Sequence, residues 1–207
     1  MKMLELLFYP LSGFFMKVSD DAHDRRKNNV LGIIAAVICG ISIGYLAVTS
    51  ADAACIFLAI LIGTVAAWKV DCRNHLLSLI IFVGIILLVG FPTIGIITLA
   101  VCALAAFLDE VGNDSKWAAE RRYVKEFFKY RFALKIVILI FAVLGLFYYS
   151  IPQLQGWGLQ YFAPLTFLYF LVFELSYELV GLKFDTIYNG LESFLGIVRG
   201  IYGSAND

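Results

Sequence analysis

The lysines and arginines of this chain fall at alternate breaks between its apolar segments, so all of them can lie on one side of a membrane. They stand before the first segment and after the second, fourth and sixth. Even-numbered crossings return a chain to its starting face, so these groups share that face. Almost every carboxylate goes with them, and the opposite face keeps only Asp52. This pattern constrains the fold more than any single motif does.

Composition agrees. The 207 residues are 61% hydrophobic and 15% charged, whereas a soluble domain is about half apolar and a quarter charged. The apolar excess is gathered into runs near the ~20 residues that span a bilayer. Net charge is zero, which offers nothing to nucleic acid. Cys39, Cys55, Cys72 and Cys102 form no C-x-x-C pair and read as small buried hydrophobes; only Cys72, close to Asp71 and His75, has neighbours suited to a metal.

The six apolar segments run Val30 to Val48, Ala53 to Trp68, Leu76 to Val89, Thr93 to Leu108, Phe132 to Tyr149 and Tyr161 to Val180. The third and fourth are divided by Gly90-Phe91-Pro92, a turn element. As one helix they would measure ~50 Å, too long for a ~30 Å hydrocarbon core. Two crossings also keep the basic stretch from Lys116 to Lys135 with Arg25, Arg26, Lys27, Lys69 and Arg73, as the positive-inside rule prefers. The charged face is therefore expected to be cytoplasmic, in the cell membrane, with both termini there.

The expected fold is an all-α integral membrane protein with about six transmembrane helices and one domain, 1–207. Residues 1–29 read as an interfacial helix, bent at Pro10, followed by an acidic and basic loop. Residues 30–180 read as the six-helix bundle with a cytoplasmic basic amphipathic helix at 115–131, and 181–207 as an interfacial tail. Gly32, Ala36, Gly40 and Gly44 recur at four-residue steps on the first span. Such a stripe admits another helix closely, from the same chain or from a second copy in a homo-oligomer.

Four polar clusters reach the charged face: Asp20, Asp21, His23 and Asp24; Lys69, Asp71, Arg73 and His75; Asp109, Glu110 and Asp114; and Glu174 with Glu178. Positions i and i+4 share a helix face, which lets Asp20 and Asp24 converge, and likewise Glu110 and Asp114. Magnesium takes oxygen ligands and bridges carboxylates to phosphate. Asp20, Asp21, Asp24, Asp109, Glu110 and Asp114 are accordingly the expected Mg2+ ligands. Lys69, Arg73, Arg121, Arg131 and Lys135 are the expected phosphate-binding cations, arginine being able to grip phosphate through two donors. Asp71, His75, Glu174 and Glu178 are the expected catalytic groups. Glu174 lies inside its apolar segment, where a carboxylate is costly unless it is paired or near water; Lys135 and Arg131 are its structural alternatives as partners.

The D-D-x-x-D order of Asp20, Asp21 and Asp24 resembles the metal-diphosphate motif of prenyl-diphosphate enzymes. Paired acidic motifs on the cytoplasmic side are similar to the UbiA-type prenyltransferases, although the Asn-Asp start of that family's longer first motif is absent. The six-span layout with an N-terminal interfacial helix looks like CDP-alcohol phosphotransferases, whose D-G-x-x-A-R signature is missing. The resemblance covers only these few residues and identifies no family. It implies a membrane-embedded, magnesium-dependent transferase acting on an isoprenoid or other lipid phosphate or diphosphate, with membrane lipid as partner. The rival readings are a divalent-cation or small-solute transporter lined by Glu174 and Glu178, and a non-enzymatic scaffold or partner subunit.

Overall fold

Long apolar runs dictate helices, because a backbone surrounded by hydrocarbon must satisfy its own hydrogen bonds. The computed structural model describes the backbone of residues 2–69, 73–148 and 158–203, and side chains over 4–69, 73–148 and 158–193. Among these residues the chain is helical, without strands. The helices are α1 (Lys2–Asp24), α2 (Asn29–Thr49), α3 (Ala51–Ala66), α4 (Arg73–Val89), α5 (Ile96–Asp114), α6 (Lys116–Ala119), α7 (Arg122–Lys129), α8 (Phe132–Phe147) and α9 (Pro164–Gly203).

Asn29–Thr49, Ile96–Asp114 and Pro164–Ser193 are long and apolar enough to cross a membrane; α7 and α8, bent by 61° at their break, would make a fourth span if taken together. The Gly90-Phe91-Pro92 division holds, with α4 ending at Val89 and α5 starting at Ile96. Helices α3 and α4 are apolar but have 16 and 17 residues, about 25 Å at 1.5 Å per residue. That is short of a ~30 Å core.

The first helix differs from a short interfacial element. It continues through Pro10 for 23 residues and is built into the bundle. Ser19 Oγ donates to the Gly32 carbonyl at 3.0 Å, while Phe8 stacks on Tyr45 with centroids 4.5 Å apart. Helix α1 therefore runs antiparallel to α2 along most of its length. Its other side faces α9: Tyr9 meets Tyr169, and Gly13 lies so close to the Phe173 carbonyl that a Cβ there would collide with it. The isolated polar residues of this segment are accommodated inside: Ser12, fully buried, donates to its own helix at the Tyr9 carbonyl, 2.8 Å away.

The small-residue stripe of α2 is filled by α4 of the same chain. Gly32 faces Asn74, Gly40 faces Ser78 and Ile81, and Gly44 faces Ile85. Ser78 Oγ reaches the Ala36 carbonyl at 3.0 Å. In the same way α3 lies along α5 with Gly63 against Ala106 and Phe107.

One stretch is divided where one element was expected, and another is joined where two were. The basic helix over 115–131 is two pieces, α6 and α7, broken at Glu120 and Arg121. The tail is a continuation of α9 past a non-helical Lys183 (φ −112°, ψ 20°). Beyond that break, Phe184 and Tyr188 are buried with Val18, Ala22, Leu31 and Ala35. Asp185 pairs with Arg26 at 2.7 Å, and Tyr188 and Glu192 accept from Asn28 at 3.0 and 3.1 Å. This part of the tail thus clasps the α1–α2 corner. The apolar positions Phe194, Leu195, Val198 and Ile201 lie outside the described side chains.

At the far end, Asp52 has a structural task. It accepts from Gln160 Nε2 (2.9 Å), the Ala163 N–H (2.8 Å) and Thr166 Oγ1 (2.7 Å). A carboxylate at this position satisfies donors that open α9 and favours the positive end of its dipole.

Candidate functional site

The side-chain contacts gather the charges at one end of the bundle, opposite Asp52. Asp20 on α1 meets His75 on α4, Oδ1 to Nε2 at 2.6 Å. Its other oxygen accepts from Tyr177 on α9 at 3.4 Å. Lys69, after α3, pairs with Asp114 at the end of α5. Arg131, between α7 and α8, reaches Glu110 at 3.3 Å and Glu174 at 3.8 Å. Lys135, one turn into α8, binds Glu174 at 3.0 Å and donates to the Tyr130 carbonyl.

Arg131 occupies the centre of this arrangement. Its backbone is left-handed (φ 51°, ψ 46°), which costs a non-glycine residue roughly 1–3 kcal/mol and is found where the surroundings impose it. Here they do: the conformation makes the 61° break and turns the guanidinium over the Tyr177 ring, 5.3 Å from its centroid. Glu174 is 3% exposed, and its two oxygens face Lys135 and Arg131. Both partners expected from the sequence are present. A buried carboxylate held by two cations fixes those cations in return, since removing it would leave Lys135 without its paired carboxylate.

Asp20, Lys69, His75, Glu110, Arg131 and Tyr177 border a cavity of about 540 Å³ between α1, α2, α3, α4, α5 and α9, within the range of small-molecule sites. Its walls change character along α1, α3 and α4. On α1 the lining passes from Asp24, His23 and Asp20 to Met16; after and along α3, from Lys69 and Thr64 to Leu61, Ile60 and Phe57; on α4, from His75 to Leu79 and Phe82. Cys39 and Ile43 of α2 close the back. One end is therefore charged, with Lys17, Lys69, Arg131, Asp20, Asp24 and Glu110, and the other is hydrocarbon.

The six expected metal ligands do not converge. Asp21 is bound by Lys17 at 3.1 Å and Arg25 at 3.6 Å on its own helix. Asp109, 1% exposed, accepts from the N–H groups of Ala133 and Leu134 at 3.1 and 2.8 Å and so caps α8. Asp114 pairs with Lys69, and only Asp20, Asp24 and Glu110 line the cavity. Among the described residues no group of three or more His, Cys, Asp or Glu is placed to hold a metal ion. The donor set visible here therefore does not fit a preformed magnesium centre.

Of the expected phosphate-binding cations, Lys69 and Arg131 line the cavity and Lys135 supports it through Glu174. Arg73 is exposed. Arg121 stacks on Trp117, 4.6 Å from its ring centroid, and donates to the Trp117 carbonyl at 3.1 Å. Of the expected catalytic groups, His75 lines the cavity, Glu174 stands behind Arg131, and Glu178 is half-buried outside the lining. Asp71 and Cys72 lie outside the described residues. The other three cysteines are buried and free.

Tyr177 and Lys17 were not singled out as site residues by the sequence. Tyr177 shares a helical face with Glu174, and Lys17 precedes Asp21 by one turn; those spacings were the available signals. Lys17 Nζ lies 5.1 Å from the Tyr177 ring centroid, a second cation over the ring that Arg131 also meets. The whole apolar wall was equally unmarked, because each of its residues reads as ordinary span. No protein-family model, curated protein or solved structure matches this chain.

Proposed function

We propose that the cavity binds a membrane amphiphile by its phosphate-bearing head and that the chain is a membrane-embedded enzyme acting on that head. The observation that carries this is the change of the lining from charged to hydrocarbon along α1, α3 and α4. Arg131, Lys17 and Lys69 are the cations at the charged end. The Asp20–His75 pair supplies a carboxylate-oriented imidazole, the arrangement that makes histidine an acid–base group. The substrate class is a lipid phosphate or diphosphate. In this reading the six apolar segments and α1 all cross the membrane, and the charged end faces the cytoplasm because it holds the cations.

A transporter reading has less to rest on. A second cavity of about 660 Å³ lies at the far end beside Asp52 and Gln160. The packed interior contains Tyr9, Leu46, Phe57, Phe170 and Phe173, all buried, and Glu174 is already held by two cations. A charged solute would lose its hydration there with nothing polar in return.

The test is binding and turnover of farnesyl diphosphate and decyl phosphate by protein in nanodiscs, with Mg2+ and with a chelator. Arg131→Gln is expected to weaken binding about hundredfold, the value of a charge-assisted bidentate contact at ~3 kcal/mol. His75→Ala is expected to keep binding and lose phosphate release by about 10²–10⁴-fold. If both variants bind and turn over like the parent, the proposal fails; Mg2+ dependence would return the acidic clusters to consideration as ligands.

A further inference from the structure

Helices α3 and α4 follow one another in sequence, yet they are not packed on each other. Among the described residues α3 lies against α5 and α2, and α4 lies against α2 with a lighter contact to α1. Consecutive apolar helices joined by a short link usually pair. Here the apolar limb of the cavity occupies the space between them: Ile60 and Leu61 on the α3 side, Leu79 and Phe82 on the α4 side, and Ile43 of α2 behind. Ile60, Leu61 and Leu79 are only half-buried, so the limb reaches the bundle's surface. The outer faces of both helices there are hydrocarbon, with Ile62 and Val65 on α3 and Leu76 and Ile80 on α4 exposed. Such a surface faces lipid tails.

We infer that the cleft between α3 and α4 is a side portal that admits one hydrocarbon chain of the ligand from the bilayer. The inference rests on the amphiphile reading above and adds the route and the tail. The occupant is a lipid with a single slender chain, isoprenoid or alkyl, because the limb is continuous with the charged end and is bounded by a single pair of helices, α3 and α4, with α2 behind. A water-soluble phosphate would use the charged mouth alone and gain nothing from Leu61 or Leu79. Ile60, Leu61 and Leu79 become the residues that set chain length.

The experiment compares hexyl, decyl and hexadecyl phosphate and inorganic phosphate on protein in nanodiscs, for the parent, Leu61→Trp, Leu79→Trp and the control Leu87→Trp. Leu87 stands on the same helix α4 and is 79% exposed. The parent is expected to bind more tightly with each longer chain until the limb is full. Leu61→Trp and Leu79→Trp should each weaken the long-chain ligands about tenfold, the value of roughly two displaced methylenes. Inorganic phosphate binding should stay as in the parent, and Leu87→Trp should change nothing. If all three tryptophan variants keep the parent's chain-length profile while Arg131→Gln still weakens binding about hundredfold, the portal is wrong and the head site stands. If Arg131→Gln also leaves binding intact, the head site is wrong.

Discussion

The described carboxylates of this chain have different tasks, and only position in space separates them. Asp52 opens α9, Asp109 caps α8, and Asp20 orients His75. An acid at the end of an apolar segment looks the same in sequence whether it ligates a metal or caps a neighbouring helix; hence Asp109 reads as a ligand. Glu174 was more legible, because its depth demands a partner and Lys135 and Arg131 are the cations at the matching depth. Tyr177 and Lys17 carry no such demand and stayed unmarked. The cap argument predicts that Asp109→Ala lowers stability by about 1–3 kcal/mol, since two buried N–H donors lose a charged acceptor. Asp109→Asn, which keeps one carbonyl acceptor, should lose less. Thermal unfolding in detergent micelles measures both. An Asp109→Ala protein that melts with the parent but loses a Mg2+-dependent signal would make Asp109 a ligand after all.

At the scale of elements, the helices follow from the apolar runs, and the breaks follow from Gly90-Phe91-Pro92 and the charged links. What the runs do not contain is who packs on whom. The stripe on α2 promised a close neighbour without naming it, and α4 is that neighbour. The choice has a consequence that distinguishes two glycines. A Cβ at Gly40 would lie 2.8 Å from the Ser78 carbonyl and 2.9 Å from the Ile81 Cβ, whereas nothing stands within 4 Å of one at Gly84. Backbone cannot yield cheaply, so Gly40→Ala should cost about 1–3 kcal/mol through forced separation of α2 and α4. Gly84→Ala should raise stability by up to about 1 kcal/mol, because alanine loses less backbone freedom in a helix. Unfolding midpoints of the two variants test the pairing, and equal shifts in the same direction would contradict it.

For the molecule as a whole, the alternation of charge predicts a common charged face, and ion pairs among α1, α4, α5, α8 and α9 gather many of the charges at one end. Sidedness is a property of chain order and so can be read from sequence; distance is not, and the division of the acids between cavity, cap and surface needed the fold. The first helix was the largest departure. Its scattered Lys2, Glu5 and Ser12 suggest a helix lying on the surface, but Ser12 is satisfied by its own backbone, and Lys17 further along by Asp21, so these two polar groups do not keep it out. Tyr9 packs on Phe57 and Tyr169, near the far ends of α3 and α9, and Phe8 on Tyr45, one turn from the end of α2. Glu5, another turn back, therefore sits at the level of Asp52 rather than beside Arg131. An interfacial helix would place it on the charged side. The difference is measurable with single cysteines introduced at Glu5 and at exposed Glu120, next to the basic helix α7, in a Cys72→Ser background that keeps the buried Cys39, Cys55 and Cys102, in sealed vesicles of one orientation. A membrane-impermeant maleimide is expected to label Glu5→Cys and Glu120→Cys from opposite sides. Labelling of both from the same side would return α1 to the membrane surface and require the α1–α2 pairing to form differently in the bilayer.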